Sequence, residues 1–429
     1  MLMSSNRLLL YNPWWLDPAS IQLDQHLSAV RGKSYRFVPR LVQTVSLEAG
    51  DISIIRGARQ VGKTTTFKMI IERLLDEKVP AKSIFYFSCE ALTSFQELQS
   101  LLVDYLENKK DRKVFLFLDE ISFVPEWQRA ILAIANLGLT RNASLLLTGS
   151  NARDLKESSE RLPGRRGSGR DYQLFPLALP ELKQLACFES LSPEKLLEIY
   201  FHVGGFPLAI ADYVKHGVVR DMTYEIYRNW IIGDAGRYHL QQETLKQILF
   251  RIAETISSQI TWPRLIENSP VRSHETALQY VEHLQDAFLC HIHYCYDPER
   301  NGPVFQKARK IYFIDPLLYA LAWSWHEGTI NIHAWMEKRL TESEFRGRLF
   351  ESVVVNHVSR LQPGTYFWYS SQQKKEVDLL IREGKKIRLY EIKQGGGRGF
   401  RALNHPVEII DPSAFLQMTF RSAKESQKF

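Results

Sequence analysis

The chain has 429 residues, 45% hydrophobic and 24% charged, with a net charge of +7. That length exceeds one ordinary core, so roughly two to four domains are expected, and nine tryptophans with 23 phenylalanines exclude a disordered chain. Four scattered cysteines (Cys89, Cys187, Cys290, Cys295) do not make a disulfide framework, no signal-peptide pattern opens the chain, and no apolar run reaches the ~18 residues of a spanning helix, so a cytoplasmic protein without membrane contact is expected.

Residues 1–45 read as an N-terminal helical segment. DISIIR (51–56) then reads as a short buried strand, followed by GARQVGKT, Gly57 to Thr64, which fits the phosphate-loop pattern G-x-x-x-x-G-K-[ST]. Gly57 and Gly62 free the backbone to turn N–H groups toward a triphosphate, with Ala58, Arg59, Gln60 and Val61 between them and Thr65 opening a helix to Asp76. Lys63 is placed to neutralise the β- and γ-phosphates of ATP, and the Thr64 hydroxyl to ligand Mg²⁺.

SIFYFS (83–88) predicts a strand and residues 94–109 a helix. KVFLFLDE (113–120) reads as a central parallel strand delivering two acids to the sheet edge, Asp119 to hold Mg²⁺ and Glu120 to activate water. A helix over 125–138 and a strand over 143–151 follow. That strand ends in Thr148, Ser150 and Asn151, one of which is expected to sense the γ-phosphate. Alternating strands and helices specify an α/β fold with a parallel sheet, a P-loop NTPase core over 46–178.

CHIHYC, Cys290 to Cys295, contains metal-ligating residue types. Strand alternation puts the two cysteines on opposite faces, which argues against one tetrahedral site. The segment 179–240 reads as a lid of short helices. Residues 241–330 predict helix (244–259), helix, a third helix capped by Ser273, and a strand pair, the plan of a winged helix. The third helix offers His274, Glu275, Gln279, Glu282, His283 and Asp286, a face more acidic than a major-groove reader requires. A protein-interaction or spacer role is therefore favoured over DNA binding.

EVDLLIR (376–382) and KIRLYEIK (386–393) read as a hairpin with a turn around Glu383-Gly384. An even-numbered loop sets Glu376 opposite Glu391 and Asp378 opposite Leu389, so Glu376, Asp378, Glu391 and Lys393 share a face. Carboxylates gathered this way repel unless a cation lies between them. Asp378 and Glu391 are candidate Mg²⁺ or Mn²⁺ ligands, helped by the Ile392 carbonyl, with Lys393 beside the attacking water. Glu351 lies on an apolar helix stripe with Val354, Val355 and Val358 and joins them as a candidate catalytic carboxylate. From Lys374 to Arg401 nine Lys/Arg stand against four Asp/Glu, a favourable field for a phosphate backbone.

Together these motifs resemble the AAA-type ATPases, and more closely a prokaryotic group whose C-terminal domain of unknown function is restriction-endonuclease-like. The resemblance covers RQVGKTT (59–65), the DE and TGS strand ends, FPL (175–177), GGFP (204–207), NPWW (12–15), KIYFID (310–315) and the E-x-K of 391–393. It implies a phosphate-contacting or trans-acting role for Arg165 beside Gly164, self-association through the ATPase domain, and a nuclease-like domain over 331–429 acting on DNA or other nucleic acid. This chain has Tyr369-Ser370-Ser371 where the group often has an arginine ahead of the E-V-D segment. A nucleotide-dependent switch with a non-catalytic C-terminal binding module is the alternative.

Overall fold

Five short strands, β1 (Ile52–Arg56), β2 (Ile84–Ser88), β3 (Val114–Asp119), β4 (Ala143–Gly149) and β5 (Asp171–Gln173), build a parallel sheet in the order β2-β3-β4-β1-β5. The computed structural model describes residues 5–109, 112–149, 166–267, 271, 273–362, 364–395 and 399–426. Residues 1–175 with 286–288 form one compact unit, and residues 176–285 with 289–429 another.

In the first unit both sheet faces are covered, which is why β3 is apolar from Val114 to Leu118 and fully buried. Leu116 and Leu118 pack with the helices Phe95–Leu106 and Trp127–Asn136, while Phe115 and Phe117 meet Phe67, Ile70 and Leu74 of the helix Lys63–Asp76. Because β4 lies between β1 and β3, the loop after β1 and the acids after β3 flank the end of β4. That is the crevice where open parallel sheets bind ligands. The helix after the loop begins at Lys63, two residues before the expected start, so Lys63 and Thr64 lie in its first turn.

The N-terminal segment closes the exposed edge of β2. Asn12 donates from Nδ2 to the Tyr86 carbonyl at 3.1 Å and accepts from the Tyr86 N–H at 2.7 Å, so one side-chain amide pairs as a neighbouring strand would. The Trp14 and Trp15 indoles both donate to the Ile84 carbonyl, at 3.1 and 2.7 Å. An edge strand left open is an aggregation hazard, and NPWW removes it.

The second unit carries a seven-stranded sheet in the order β11-β12-β10-β9-β8-β6-β7. Its strands are β6 (Cys290–Asp297), β7 (Gly302–Phe313), β8 (Thr365–Ser370), β9 (Lys375–Glu383), β10 (Lys386–Ile392), β11 (Phe400–Ala402) and β12 (His405–Ile410). The helices Gln242–Glu254, Trp262–Ile266 and His274–Asp286 precede the β6–β7 hairpin in the expected order, and the Ser273 hydroxyl caps the third at Thr276 N–H. The sheet does not respect a division at residue 330, however. β6 pairs in parallel with β8 through Cys295 and Phe367, joining the hairpin to the C-terminal strands. The register shift between Tyr294 and Cys295 falls on β7, whose residues 305–308 have no partner on β6; Cys290 and Cys295 are both buried, and none of the four cysteines forms a disulfide. Burial pushes His291 down to about 4 and His293 well below its usual range, so both rings are neutral at physiological pH.

The GGFP segment has a local reason. Gly204 holds φ +68°, a Cβ there would fall on the Asp315 carboxylate, and Asp315 Oδ2 accepts the Gly205 N–H at 2.7 Å. Asp315 also caps the helix Pro316–Glu327 through Leu317 N–H.

Candidate functional site

Two constellations were expected, and the structure assembles them differently. The first forms at the C-terminal ends of β1 and β3. Gln60 (φ 63°) and Gly62 (φ 95°) take left-handed conformations, which turns the loop backbone between them. A Cβ on Gly62 would meet nothing within 4 Å, so the loop is open on that side. Gly57 serves another purpose than expected: its φ is ordinary, and a Cβ there would fall on the Leu174 carbonyl after β5. It admits the neighbouring backbone after β5 at the start of the loop.

Lys63 is 4% exposed, and its ammonium donates to the Gly57 and Ala58 carbonyls at 3.0 and 3.1 Å. Glu120 Oε1 lies 3.3 Å from the same ammonium. The Thr64 hydroxyl donates to Asp119 Oδ2 at 2.7 Å, so the two expected Mg²⁺ ligands are already in contact. Ala58 and Val61 are buried, the Arg59 guanidinium lies 5.6 Å from the centroid of Phe123, and Thr65 continues the helix.

Thr148 is fully buried, its hydroxyl donating to Asp119 Oδ1 and accepting the Glu120 N–H at 2.9 Å. It fixes the two acids in place. Glu120 holds φ 50°, a strained conformation for this residue type and one common at functional positions. Ser150, Asn151, Gly164 and Arg165 lie outside the described residues.

These residues fit a nucleotide with Mg²⁺. Lys63 and the loop amides would hold the phosphates, and Thr64 and Asp119 the metal, which supplies charge neutralisation at the phosphoryl oxygens.

The second constellation lies in the C-terminal sheet and departs from expectation. The hairpin turn is Gly384-Lys385, with Gly384 at φ +60°. Leu389 therefore faces Leu380, and Tyr390 faces Leu379. Relative to the expected register the strands are displaced by two residues, which preserves alternation and leaves Asp378 and Glu391 on a common face.

What the carboxylates gather around is a lysine. Lys310, on β7 and 1% exposed, places Nζ 2.8 Å from Glu351 Oε1, 2.6 Å from Glu376 Oε1 and 3.0 Å from Asp378 Oδ1. The Tyr312 hydroxyl donates to Glu351 Oε1 at 2.7 Å, and Gln259 Nε2 donates to Glu376 Oε2 at 2.8 Å. Asp378 Oδ2 accepts the Ile392 N–H at 3.0 Å, so Ile392 meets this carboxylate through its amide and not through the carbonyl expected on a metal. Glu391 is drawn to Lys393, 2.9 Å away. The cation that the repelling carboxylates require is an ammonium of the same chain. Among the described residues no group of three or more His, Cys, Asp or Glu is arranged to hold a metal ion.

Neither Lys310 nor Tyr312 was picked out from the sequence. The available signal was a lysine inside the apolar strand KIYFID, the same anomaly that singled out Glu351 on its helix.

Burial acts to lower Lys310, but Tyr312, Glu351, Asp378 and Glu376 outweigh it and hold the ammonium well above the usual lysine range. Burial pushes Glu351 up to about 7 from 4.5, against the pull of Lys310. Because the folded value exceeds the unfolded one, the stability Glu351 contributes is full below about pH 4.5 and is lost as pH rises through about 7. In urea titrations between pH 5 and pH 8, wild type should lose on the order of 2 kcal/mol more than Glu351→Gln. Equal losses would mean that Glu351 does not take up this proton.

Residues 49–183 match the family model described as an AAA domain, and residues 194–327 and 346–415 match two domains of unknown function, DUF8612 and DUF4143. A Haemophilus influenzae protein described only as uncharacterized is 27% identical over 279 residues, 61% of this chain and 66% of that protein, just under two thirds of its length. Among solved structures, a Walker-type ATPase of Pyrococcus abyssi is similar over 68% of this chain and 95% of its own, at 13% identity and TM-score 0.43. The Aeropyrum pernix ORC2 protein, solved with ADPNP and ADP, is similar over 73% of this chain and 95% of its own, at 17% identity and TM-score 0.38. No described helix is long and apolar enough to cross a membrane. The phosphate loop and strands β1 to β5 thus lie within the segment that matches an AAA domain.

Proposed function

We propose that the AAA-type domain of this chain hydrolyses ATP with Mg²⁺, and that the nucleotide state governs a C-terminal module which binds nucleic acid without cutting it. The observation that carries the first half is the contact of Thr64 with Asp119 at 2.7 Å beside a buried Lys63, itself 3.3 Å from Glu120. In this reading Lys63 and the loop from Gly57 to Thr65 bind the phosphates, Thr64 and Asp119 hold the metal, and Glu120 takes the proton of the attacking water. Ser150 and Arg165 remain candidates for the γ-phosphate, Arg165 from a neighbouring copy if the domain self-associates.

Residues 331–429 read as a restriction-endonuclease-like fold, on the order of a helical Glu351, a strand Asp378 and the run Glu391-Ile392-Lys393. The helices before β6 and the β6–β7 hairpin read as a winged helix. Lys310 favours the binding role over nuclease chemistry. Its ammonium meets the oxygens of Glu351, Glu376 and Asp378 that a catalytic Mg²⁺ or Mn²⁺ would need. The nine basic residues between Lys374 and Arg401 supply charge for a phosphate backbone. The test measures ATP turnover and plasmid integrity in one preparation, with Mg²⁺ and with Mn²⁺.

A further inference from the structure

The nucleotide site has a neighbour that its motifs do not include. Tyr86, on the edge strand β2, donates from its hydroxyl to Asp119 Oδ2 at 3.0 Å, the same oxygen that receives the Thr64 hydroxyl. Were Thr64 to turn its oxygen toward a metal, Tyr86 and Thr148 would still hold the Asp119 carboxylate in one orientation.

Tyr86 is itself gripped from the N-terminal segment. Asn12, fully buried, pairs with both its N–H and its carbonyl. On its ring face sits the Lys68 ammonium, 3.4 Å from the centroid, on the helix that begins at Lys63. Lys68 is 5% exposed, anchored by Asp24 at 3.4 Å and lying 5.1 Å from the Trp14 ring centroid. A cation is stabilised on an aromatic face when water is excluded, and the facing carboxylate completes its neutralisation. The segment from Asn12 to Asp24 therefore reaches the metal-binding acid through a single side chain.

We infer that Tyr86 is a positioning residue for the metal ligand Asp119, and that Asn12 acts through it, making the N-terminal segment part of the nucleotide machinery. The inference rests on the nucleotide reading proposed above. Partners of metal ligands set the ligands' orientation, and removing one costs about 10- to 100-fold in metal affinity or activity.

The test is calorimetric titration of the full chain with ADP, with and without Mg²⁺. Tyr86→Phe keeps the ring and its contact with Lys68, so it is the variant expected to fold. It should bind ADP alone within about twofold of wild type and lose roughly tenfold of the affinity gained with Mg²⁺. Asn12→Ala should lose in the same direction. The double variant should be no worse than Tyr86→Phe, because the two act along one path; a merely structural Asn12 would give additive losses. A wild-type Mg²⁺ response in Tyr86→Phe, or additive losses in the double variant, would overturn the inference while leaving the nucleotide site standing. ADP binding that is unchanged in Lys63→Ala would remove the nucleotide reading, and this inference with it.

Discussion

Lys63→Ala should reduce Mg²⁺-dependent ATP turnover by at least about 10²–10³-fold, the loss typical when one preorganised charge donor is removed from a reacting centre. The ammonium is nearly excluded from water, held by the Gly57 and Ala58 carbonyls, and aimed into a loop with open space over Gly62. A buried cation is worth far more to a developing phosphoryl charge than one in solvent, because its field is little screened. Lys63 also lies 3.3 Å from Glu120, so its removal alters the environment of the proposed base as well. Circular dichroism should show the variant folded, since the sheet core does not include this side chain. Undiminished hydrolysis by a folded Lys63→Ala would place the activity elsewhere.

The second large effect is on stability. Lys310→Met should lower the stability of the unit containing residues 289–429 by about 3–5 kcal/mol, the usual consequence of removing one partner from a buried ion pair. Methionine fills much of the same volume, so the loss would be electrostatic more than steric. Glu351, Glu376 and Asp378 would be left facing one another without the ammonium that now lies within 3.0 Å of each. Adding Asp378→Asn to Lys310→Met removes one stranded charge and should recover part of the loss. Thermal melting reads both variants. A Lys310→Met protein as stable as wild type would show that the cluster is solvated and not held by its lysine.

The candidate nucleotide site was largely legible in the sequence because its chemistry is local. A loop of fixed spacing and an apolar strand ending in Asp119-Glu120 define it without knowledge of distant contacts, and the parallel sheet brings them together. What was hidden depends on contacts far apart in sequence. Asn12 and Tyr86 are separated by 74 positions, and nothing in NPWW signals that its amide replaces a strand. Gly57 matched the motif but meets Leu174, which no loop pattern encodes.

The C-terminal site shows the same division more sharply. The face shared by Asp378 and Glu391 followed from strand alternation, which survives a two-residue slip, whereas the opposed pairs did not survive it. The need for a cation among the carboxylates was also readable. Its identity was not, because Lys310 arrives on β7, 68 positions from Asp378, and only the joined seven-stranded sheet brings it in.

The most direct measurement uses one preparation of wild type with supercoiled plasmid, ATP, and Mg²⁺ or Mn²⁺, following phosphate release and plasmid nicking together. Phosphate release that disappears in Lys63→Ala, with the plasmid left intact under both metals, is the predicted result. Nicking by wild type that disappears in Asp378→Ala would contradict it, because the carboxylates around Lys310 would then be a working nuclease centre.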